Sequence, residues 1–592
     1  MNQKEETVQL PKELTHQELL HRLRHSSAHV MAQAVQALFP GTHLTIGPPI
    51  EEGFYYDFDS PHRFVPEDLE KIEKKMREIV SKDHPFSCSW HDKEEAKKFF
   101  EEQGEKFKLE ILDGIQDEKV SYYHHDTFID LCEGPHVDST KKIRYFKLLK
   151  IAGSYWRGDE HRERLQRIYG TVWTTKEELD SYLKRLEEAK KRDHRELGER
   201  LDLFSIQHES AGSGIIFWHP KGALIRETIE NDLKATLKEA GYSFVYTPHV
   251  ARLDLWKTSG HWDYYRENMF PPIEIENQPF ILKPMNCPGH ILIYKSKLRS
   301  YRDLPIRLAE FGTVYRYERS GVMHGLLRVR GFTQDDAHIF CTISQIEEEC
   351  IQILKLMLQI LKNFGFHDYD IKLSTRPEKF SGTEENWDKA ELALKNALGS
   401  LNLPYEIDPG EGVFYGPKID LKIRDCLNRQ WQCSTVQVDF NLPQKFNVTY
   451  RDSSGKESTC VMVHRALLGS LERFIGILIE HYAGLFPLWL SPVQSTVLPI
   501  TEQQIPYAQT IVKKLKEEGL RVECDDRSEK ISYKIREASM QKIPYLLIVG
   551  EKENKDQTVS LRKQDGTNLG VLNLEQFLER VKKEIKERDK LK

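Results

Sequence analysis

The 592-residue chain has no C-x-x-C pair, and its nine cysteines are odd in number and widely spaced. That pattern excludes a disulfide framework and a zinc ribbon. No G-x-x-x-x-G-K-[ST] occurs, and no G-x-G-x-x-G follows a strand, so neither a P-loop nor a Rossmann nucleotide site is built in. The opening Met-Asn-Gln-Lys-Glu-Glu lacks the apolar run of a signal peptide. The best membrane candidate, 474–490, is interrupted by Glu480, His481 and Pro487 and reads as a buried helix rather than a span. Internal repeats and low-complexity segments are absent. The formal net charge is only −6, so the chain is no histone-like coat for nucleic acid, although local basic surfaces are compatible with it. These absences point to a reduced, soluble, cytoplasmic protein with no membrane association.

What is present is enough for several packed cores: 39% of residues are hydrophobic and 10% aromatic, so the chain is not disordered. At roughly 150 residues per domain, three to five domains are expected. Thr15 and Glu18 have capping-box spacing, with Leu14 placed to staple; Leu19, Leu23, Val30, Ala34 and Leu38 follow at helical spacing before Pro40-Gly41. Helical patterns then alternate with short apolar runs to about Trp173, an α+β signature. Thr175 and Glu178 open a second capped pattern, charged enough to read as a solvated connecting helix. A long mixed region follows, closed near Ser491-Pro492. The tail has strand-like Val522 and 546–549 between helix-like 501–519 and 573–591, a compact α/β pattern. From 488 onward it carries 20 Lys plus Arg against 17 Asp plus Glu, a basic excess suited to a polyanion.

Three constellations carry chemistry. His25 and His29, four residues apart, share a helix face; with Cys132-Glu-Gly-Pro-His136 they suit either a metal site or a general acid/base cluster. Ser26 stands where a zincin needs Glu, which argues against a thermolysin-like protease. Next, Lys283-Pro-Met-Asn-Cys287-Pro-Gly-His290, Asp335-Asp336-Ala-His338 and His464-Arg465 supply dispersed donors, and one Cys with two His can bind zinc and leave a fourth position open. Third, Arg316-Tyr-Glu318, Arg328-Val-Arg330-Gly-Phe332 and Gly469-Ser-Leu-Glu-Arg473-Phe interleave arginines with aromatics, as phosphate and base recognition requires. His-Ile-Gly-His and Lys-Met-Ser-Lys-Ser, the class I synthetase signatures, are absent.

In combination these strings become specific. The stretch Arg316–Phe332 resembles motif 2 of class II aminoacyl-tRNA synthetases, 469–474 resembles motif 3, and 241–248 resembles motif 1. KPMNCPGH, RVRGFTQDDAHIFC, LSTRPEK, FYGPKID and HRALLGSLERF, with RHSSAH, LCEGPH and YWRG nearer the N-terminus, resemble the threonyl-tRNA synthetase family over nearly the whole chain from about residue 16. The resemblance implies an α+β multidomain chain: a short polar segment at 1–15, an α+β editing domain at 16–174, a connecting helix at 175–204, a class II catalytic domain with an antiparallel sheet at 205–487, and an α/β anticodon-binding domain at 488–592. It implies a homodimer that binds tRNA(Thr), ATP and L-threonine, with one Zn2+ per subunit and Mg2+ accompanying ATP. Cys287, His338 and His464 match the zinc ligands. Arg316, Glu318, Arg328, Phe332, Lys418, Gln432, Thr435 and Arg473 match the ATP positions, with Arg316 and Arg473 catalytic. Met285, Gln334, Asp336, Tyr415 and Gln437 match the threonine pocket. His25, His29, Lys108, Cys132 and His136 match the editing site, and Arg536, Glu553 and Arg562 match anticodon contacts.

Physical chemistry is consistent with that implication. Valine lacks the hydroxyl that threonine offers a polar pocket, and such sites reject the analogue by ~10⁴–10⁵. Serine lacks only a methyl, a difference of about 1–3 kcal/mol, so a second, hydrolytic site is expected. The chain departs from the family in three places. Most bacterial members begin with a ubiquitin-like domain (TGS), whereas here about fifteen polar residues precede the editing region, so a member of the type lacking that domain is expected; Glu133 stands where the family usually has Arg, and Ser528 where Asn is expected. A non-enzymatic paralogue, a synthetase for serine or proline, and a free-standing deacylase are the rival readings. The retained Arg316 and Arg473 oppose the first; the Cys/His/His set and the two-histidine editing pattern oppose the second; nearly 400 residues with class II motifs oppose the third.

Overall fold

The computed structural model describes residues 14–159 and 161–588, so nearly all of the polar segment at 1–15 lies outside the described residues. The chain divides into two compact units, Met1–Glu187 and Glu188–Lys592.

The first unit begins with the helix His16–Leu38. Thr15 accepts from the Glu18 backbone N–H while the Glu18 carboxylate takes the Thr15 N–H at 2.8 Å, a complete capping box. The helix buries Ala28, Met31, Ala32 and Val35 against an antiparallel sheet made from Gly53–Asp59, Arg164–Trp173 and Tyr145–Tyr155, with the short strands His43–Leu44 and Pro49–Ile50. Phe54, Tyr56 and Phe58 from one strand are all fully buried there, each contributing about 1.5–3 kcal/mol of apolar transfer. The amphipathic helix Pro66–Ser81 joins this core through Ile72, Met76 and Ile79. A second sheet of Ser87–Asp92, Lys119–His125 and Phe128–Leu131 completes the expected α+β unit.

Over 175–204 the chain forms two helices, Lys176–Lys191 and His194–Arg200. Thr175 and Glu178 reciprocate hydrogen bonds at the start of the first. Asp193 caps the second, whose His194, Leu197 and Gly198 are buried rather than solvated.

The second unit is built on an eight-stranded sheet in the order Ser243–Phe244, Ile306–Tyr315, Gly331–Cys341, Val461–Ser470, Gln430–Asp439, Lys418–Arg424, Tyr369–Ser374, Glu406–Asp408. All pairs are antiparallel except the two at the edges, which are parallel. The helices Pro220–Glu239, Ile346–Asn363, Glu384–Ser400 and Leu471–Tyr482 share one large core with this sheet. Side chains alternate across a strand. Along Gly331–Cys341, Thr333, Asp335 and Ala337 are buried while Phe332, Gln334 and Asp336 are half-buried, so one face of the sheet is left for ligands. The helix starting at Leu471 stops at Tyr482, where Ala483 takes a left-handed conformation. Among the described residues no helix is long and apolar enough to cross a membrane.

The C-terminal part is a five-stranded sheet ordered Val522–Cys524, Ser495–Pro499, Tyr545–Val549, Thr558–Lys563, Asn568–Asn573, parallel in its first three strands and antiparallel in the rest. Ala508, Ile511 and Leu515 of helix Ile505–Glu517, and Phe577 and Val581 of helix Leu574–Glu587, close its core. This is the α/β pattern expected from the alternation.

Candidate functional sites

Strand register gathers the central site. His338 pairs with His464, His464 with Gln437, and Gln437 with Lys418, in one row across four strands. The next row aligns Asp336, Ala466, Thr435 and Asp420. Cys287 opens the helix Cys287–Lys295, with Pro288 in its first turn. The ligand atoms of Cys287, His338 and His464 lie within 4.8 Å of one another, and all three residues are buried.

The surroundings of these donors decide their tautomers. His464 Nε2 donates to Asp439 Oδ2 at 2.9 Å, which leaves Nδ1 a lone pair. His290 Nε2 lies 3.2 Å from Glu310 Oε2, and the Nδ1 atoms of His290 and His338 are 2.9 Å apart. If Glu310 takes the His290 Nε2–H, then His290 Nδ1 accepts the His338 Nδ1–H and His338 Nε2 is free. Glu310 also accepts from the Thr247 N–H at 2.8 Å and pairs with Lys283 at 3.5 Å. Burial pushes the Cys287 thiol well above its ordinary range, a cost that coordination to a cation removes by deprotonating the thiol outright. Two free imidazole lone pairs, each backed by a hydrogen-bonded carboxylate directly or through a second ring, plus one thiol, fit a zinc ion with an open position.

Beside these donors, Asp336 Oδ2 accepts from Asn286 Nδ2 at 3.0 Å. The Tyr415 hydroxyl donates to Gln437 Oε1 at 2.6 Å and is kept neutral by burial. Met285 Sδ is 3.0 Å from Nε2 of the buried His261, whose Nδ1 is 2.7 Å from Ser259 Oγ. Gln334 sits two residues along the same strand face as Asp336.

The Arg316 guanidinium lies 5.0 Å from the Phe332 ring centre and 5.6 Å from that of Tyr265. Arg328 donates to Glu318 at 3.0 Å, and Lys418 pairs with Asp420 at 2.7 Å. Arg473 sits in the first turn of its helix, its N–H capped by Ser470 Oγ at 3.2 Å. Its Nε is buried without a hydrogen-bond partner. A buried guanidinium nitrogen without a protein partner is a place for an anion. Gln432, by contrast, is exposed and pairs in register with Lys422.

Residues that sequence reasoning passed over hold this site in place. Asp335, quoted only as the neighbour of Asp336, faces the core. Its carboxylate accepts three N–H groups, from Leu467, Leu468 and Gly469, at 2.8–3.0 Å, and burial raises its pKa to about 6. Glu472 accepts the Thr333 N–H at 2.8 Å and pairs with Arg226 at 3.0 Å. The period-2 rule was the available signal, since two adjacent strand residues cannot both face one pocket.

In the first unit, His25, His29, Cys132 and His136 converge, their ligand atoms within 4.8 Å. Cys132 Sγ is 3.2 Å from both His25 Nε2 and His136 Nε2, and accepts the Gly134 N–H at 3.2 Å. Ser26 Oγ, 3.0 Å from His136 Nδ1, ties the helix to the Cys132 loop by accepting the Val137 N–H. Lys108 and Asp130 form a buried ion pair at 2.5 Å, joined by the Tyr56 hydroxyl, which donates to Asp130 at 2.7 Å; His29 Nε2 is 3.7 Å from Asp130. His25, His29 and Cys132 line a cavity of about 740 Å³, with Lys108, Asp130 and Glu133 in its wall. Burial lowers His25 to about 4 and keeps His29 and His136 well below their usual range, while it pushes Cys132 up to about 12. At neutral pH this leaves neutral imidazoles, which can hydrogen-bond and orient water, and a thiol that is not a nucleophile. Asp130 and Tyr56 carry no motif and were not legible from spacing.

The three anticodon candidates occupy three elements. Arg536 is exposed on helix Ile531–Met540, and Arg562 lies on strand Thr558–Lys563 with a buried, unpartnered Nε. Glu553 accepts the Gly550 N–H at 3.0 Å and so caps its own helix, Glu551–Asp556.

Three family models match the chain. Residues 272–482 match the class II core domain of tRNA synthetases (G, H, P, S and T), 494–584 match an anticodon binding domain, and 120–169 match the second additional domain of threonyl and alanyl tRNA synthetases. The threonine–tRNA ligase of Magnetococcus marinus is 54% identical over 567 residues, 96% of this chain and 87% of that protein. The threonine–tRNA ligase of Nitrosococcus oceani is 54% identical over 95% of this chain and 87% of its own length. Among solved structures, the RNA binding domain of threonyl-tRNA synthetase from Cryptosporidium parvum superposes with a TM-score of 0.64 at 43% identity, covering 66% of this chain and 98% of that one.

Proposed function

The chain belongs to the threonine–tRNA ligase family, and from that premise we propose that it activates L-threonine with ATP, transfers the threonyl group to tRNA(Thr), and hydrolyses mischarged seryl-tRNA(Thr). The observation that carries this reading is the buried Cys287/His338/His464 set with its carboxylate-backed imidazoles; the strand that holds His464 leads directly into the helix whose first turn carries Arg473. In this reading editing occupies 16–174, a connector 175–204, catalysis 205–487 and anticodon binding 488–592.

Cys287, His338 and His464 would hold zinc, which when bound would supply Lewis-acid binding for the threonine amino and hydroxyl groups. Asp336, oriented by Asn286, accepts hydrogen bonds from those same groups. Gln437, held by Tyr415, with Gln334 and Met285, shapes the rest of the pocket. Valine loses the hydroxyl's bond to Asp336, whereas serine keeps it, which is why the second site is needed. ATP arrives as its magnesium complex. Phe332 stacks on adenine, with Glu318, Lys418, Gln432 and Thr435 around the nucleotide. Arg316 bridges the threonine carboxylate and the α-phosphate, while Arg328 and Arg473 offset charge on the departing phosphates. Catalysis is then mostly positioning and preorganised charge.

At the editing site the neutral imidazoles of His25, His29 and His136 position water against the ester, with Lys108 and Asp130 framing the cavity. Arg536, Glu553 and Arg562 face the anticodon. The protein works in the cytoplasm as a homodimer; Tyr246, in the motif 1 stretch, is 78% exposed and offers such an interface an aromatic side chain.

ATP–pyrophosphate exchange with threonine, serine and valine, with zinc measured on the same sample, tests the reading. Exchange with threonine, weaker exchange with serine and none with valine are expected. No threonine-dependent exchange in zinc-loaded protein overturns it.

A further inference from the structure

His194 lies outside every constellation named above, and it is fully buried. It starts the helix His194–Arg200 and touches two other elements. Its Nδ1 is 2.6 Å from Glu480 Oε1, on the helix Leu471–Tyr482. Its Nε2 is 3.0 Å from the backbone nitrogen of Leu326. A backbone N–H only donates, so Nε2 is the acceptor, and Nδ1 carries the proton and donates to Glu480. The other Glu480 oxygen is held by Arg429 at 2.6 Å. Asp193, His194 and Glu480 lie close enough together to suggest a metal site. Both ring nitrogens are already committed, however, so the imidazole has no lone pair left to give.

The loop it holds is the one between Glu318 and Arg328. His324 and Arg328 exchange backbone hydrogen bonds at 3.2 and 3.3 Å, closing a tight turn with Leu326 at its centre. The turn presses directly on the ring. Gly325 has a left-handed φ of +51°, and a Cβ there would stand 2.1 Å from His194 Nε2. On the opposite side Gly476, in the Leu471–Tyr482 helix, leaves room for Leu326 and Leu327, each about 3.1–3.2 Å from where its Cβ would be. One imidazole thus clamps the turn that carries Arg328 against the helix that carries Arg473.

We propose that His194 is the positioning residue of the nucleotide site, setting the separation of the Arg328 and Arg473 guanidinium groups through its hydrogen bonds to Leu326 and Glu480. This rests on the reading of those arginines as ATP-binding. His194 itself touches no substrate.

Two variants separate its two hydrogen bonds. In His194→Gln the side-chain oxygen can take the place of Nε2 and accept the Leu326 N–H. In His194→Asn the amide can reproduce the Nδ1 donor to Glu480, but the side chain is too short to reach Leu326. ATP affinity is measured by calorimetry on the full chain, together with the ATP and threonine KM values in exchange. His194→Asn is expected to weaken ATP by about tenfold, the worth of one well-made hydrogen bond, with the threonine KM unchanged. His194→Gln is expected to recover most of the loss. Hydrogen exchange of the helix Leu471–Tyr482, which carries the Glu480 partner, reports on folding in the same preparations. Equal shifts in the ATP and threonine KM values, identical behaviour of the two variants, or no change in ATP affinity would each overturn the proposal. Wild-type protein that binds ATP but performs no threonine-dependent exchange would sink the proposed function while leaving the His194 comparison intact. Wild-type protein that does not bind ATP would remove both.

Discussion

Replacing Lys108 by methionine keeps the length of the side chain and removes one half of a buried ion pair. Lys108 and Asp130 are each about 3% exposed and 2.5 Å apart. Exposed pairs contribute at most about 1 kcal/mol, but breaking a buried one strands a desolvated charge and costs about 3–5 kcal/mol. In Lys108→Met, Asp130 would keep only the Tyr56 hydroxyl at 2.7 Å and the neutral His29 at 3.7 Å. The full cost therefore falls on the first unit. Adding Asp130→Asn removes the stranded charge while keeping an acceptor for Tyr56, so the double variant is expected to be more stable than Lys108→Met alone by about 2 kcal/mol or more. The assay is urea unfolding joined to hydrogen exchange of helix His16–Leu38, which reports on that unit. Deacylation of seryl-tRNA(Thr) should be lost in both variants, while threonine-dependent exchange is retained. A Lys108→Met cost below about 1 kcal/mol, as for a surface lysine, or a double variant no more stable than the single, would refute the argument.

Asp439→Ala leaves His464 Nε2 unpaired and should weaken zinc about 10–100-fold in chelator competition; unchanged affinity would show that the carboxylate does not orient the ring. Arg316→Gln should lower the exchange rate about 10²–10³-fold while moving unfolding stability by less than about 0.5 kcal/mol, measured by denaturant titration of the same protein. Burial holds His25 near 4 and His125 near 3, whereas in the unfolded chain both titrate near ~6.5. Between pH 6.5 and 4 the unfolded chain thus binds protons that the native unit refuses. Its stability should fall on acidification, by up to about 1.4 kcal/mol per pH unit for each histidine; equal protection of helix His16–Leu38 at pH 7 and pH 5, after correction for intrinsic exchange, would contradict this. Glu133→Arg reverses a charge in the wall of the editing cavity and should lower the KM of deacylation for seryl-tRNA(Thr) several-fold, an effect that added salt erases.

Some of this was open to reading along the chain, and the reason is locality. The capping boxes at Thr15/Glu18 and Thr175/Glu178 join groups three residues apart, so one turn of helix decides them. The helix Leu574–Glu587 and the apolar strand Tyr545–Val549 follow from periodicity in the same way. Motif strings also marked Cys287, His338 and His464 as a set, although spacing alone left a metal only one option among several.

Other features had no local cause. Asp335 and Asp336 are adjacent and chemically identical, yet one pins the Leu467–Gly469 backbone in the core and the other faces the ligand side. Only the face of the strand separates them, and that face was decided by which neighbours bury Thr333 and Ala337. Glu310 and His194 belong to no sequence pattern, and His290 ends the KPMNCPGH string without any sign of its partner, because those partners lie 20 to 286 positions away. Helix starts, strand periods and donor types are set by contacts within a few residues. Tautomers, pairing of buried charges and the contact of the Gly325–Leu326 turn with His194 depend on strand order and packing, which no short window of the chain contains.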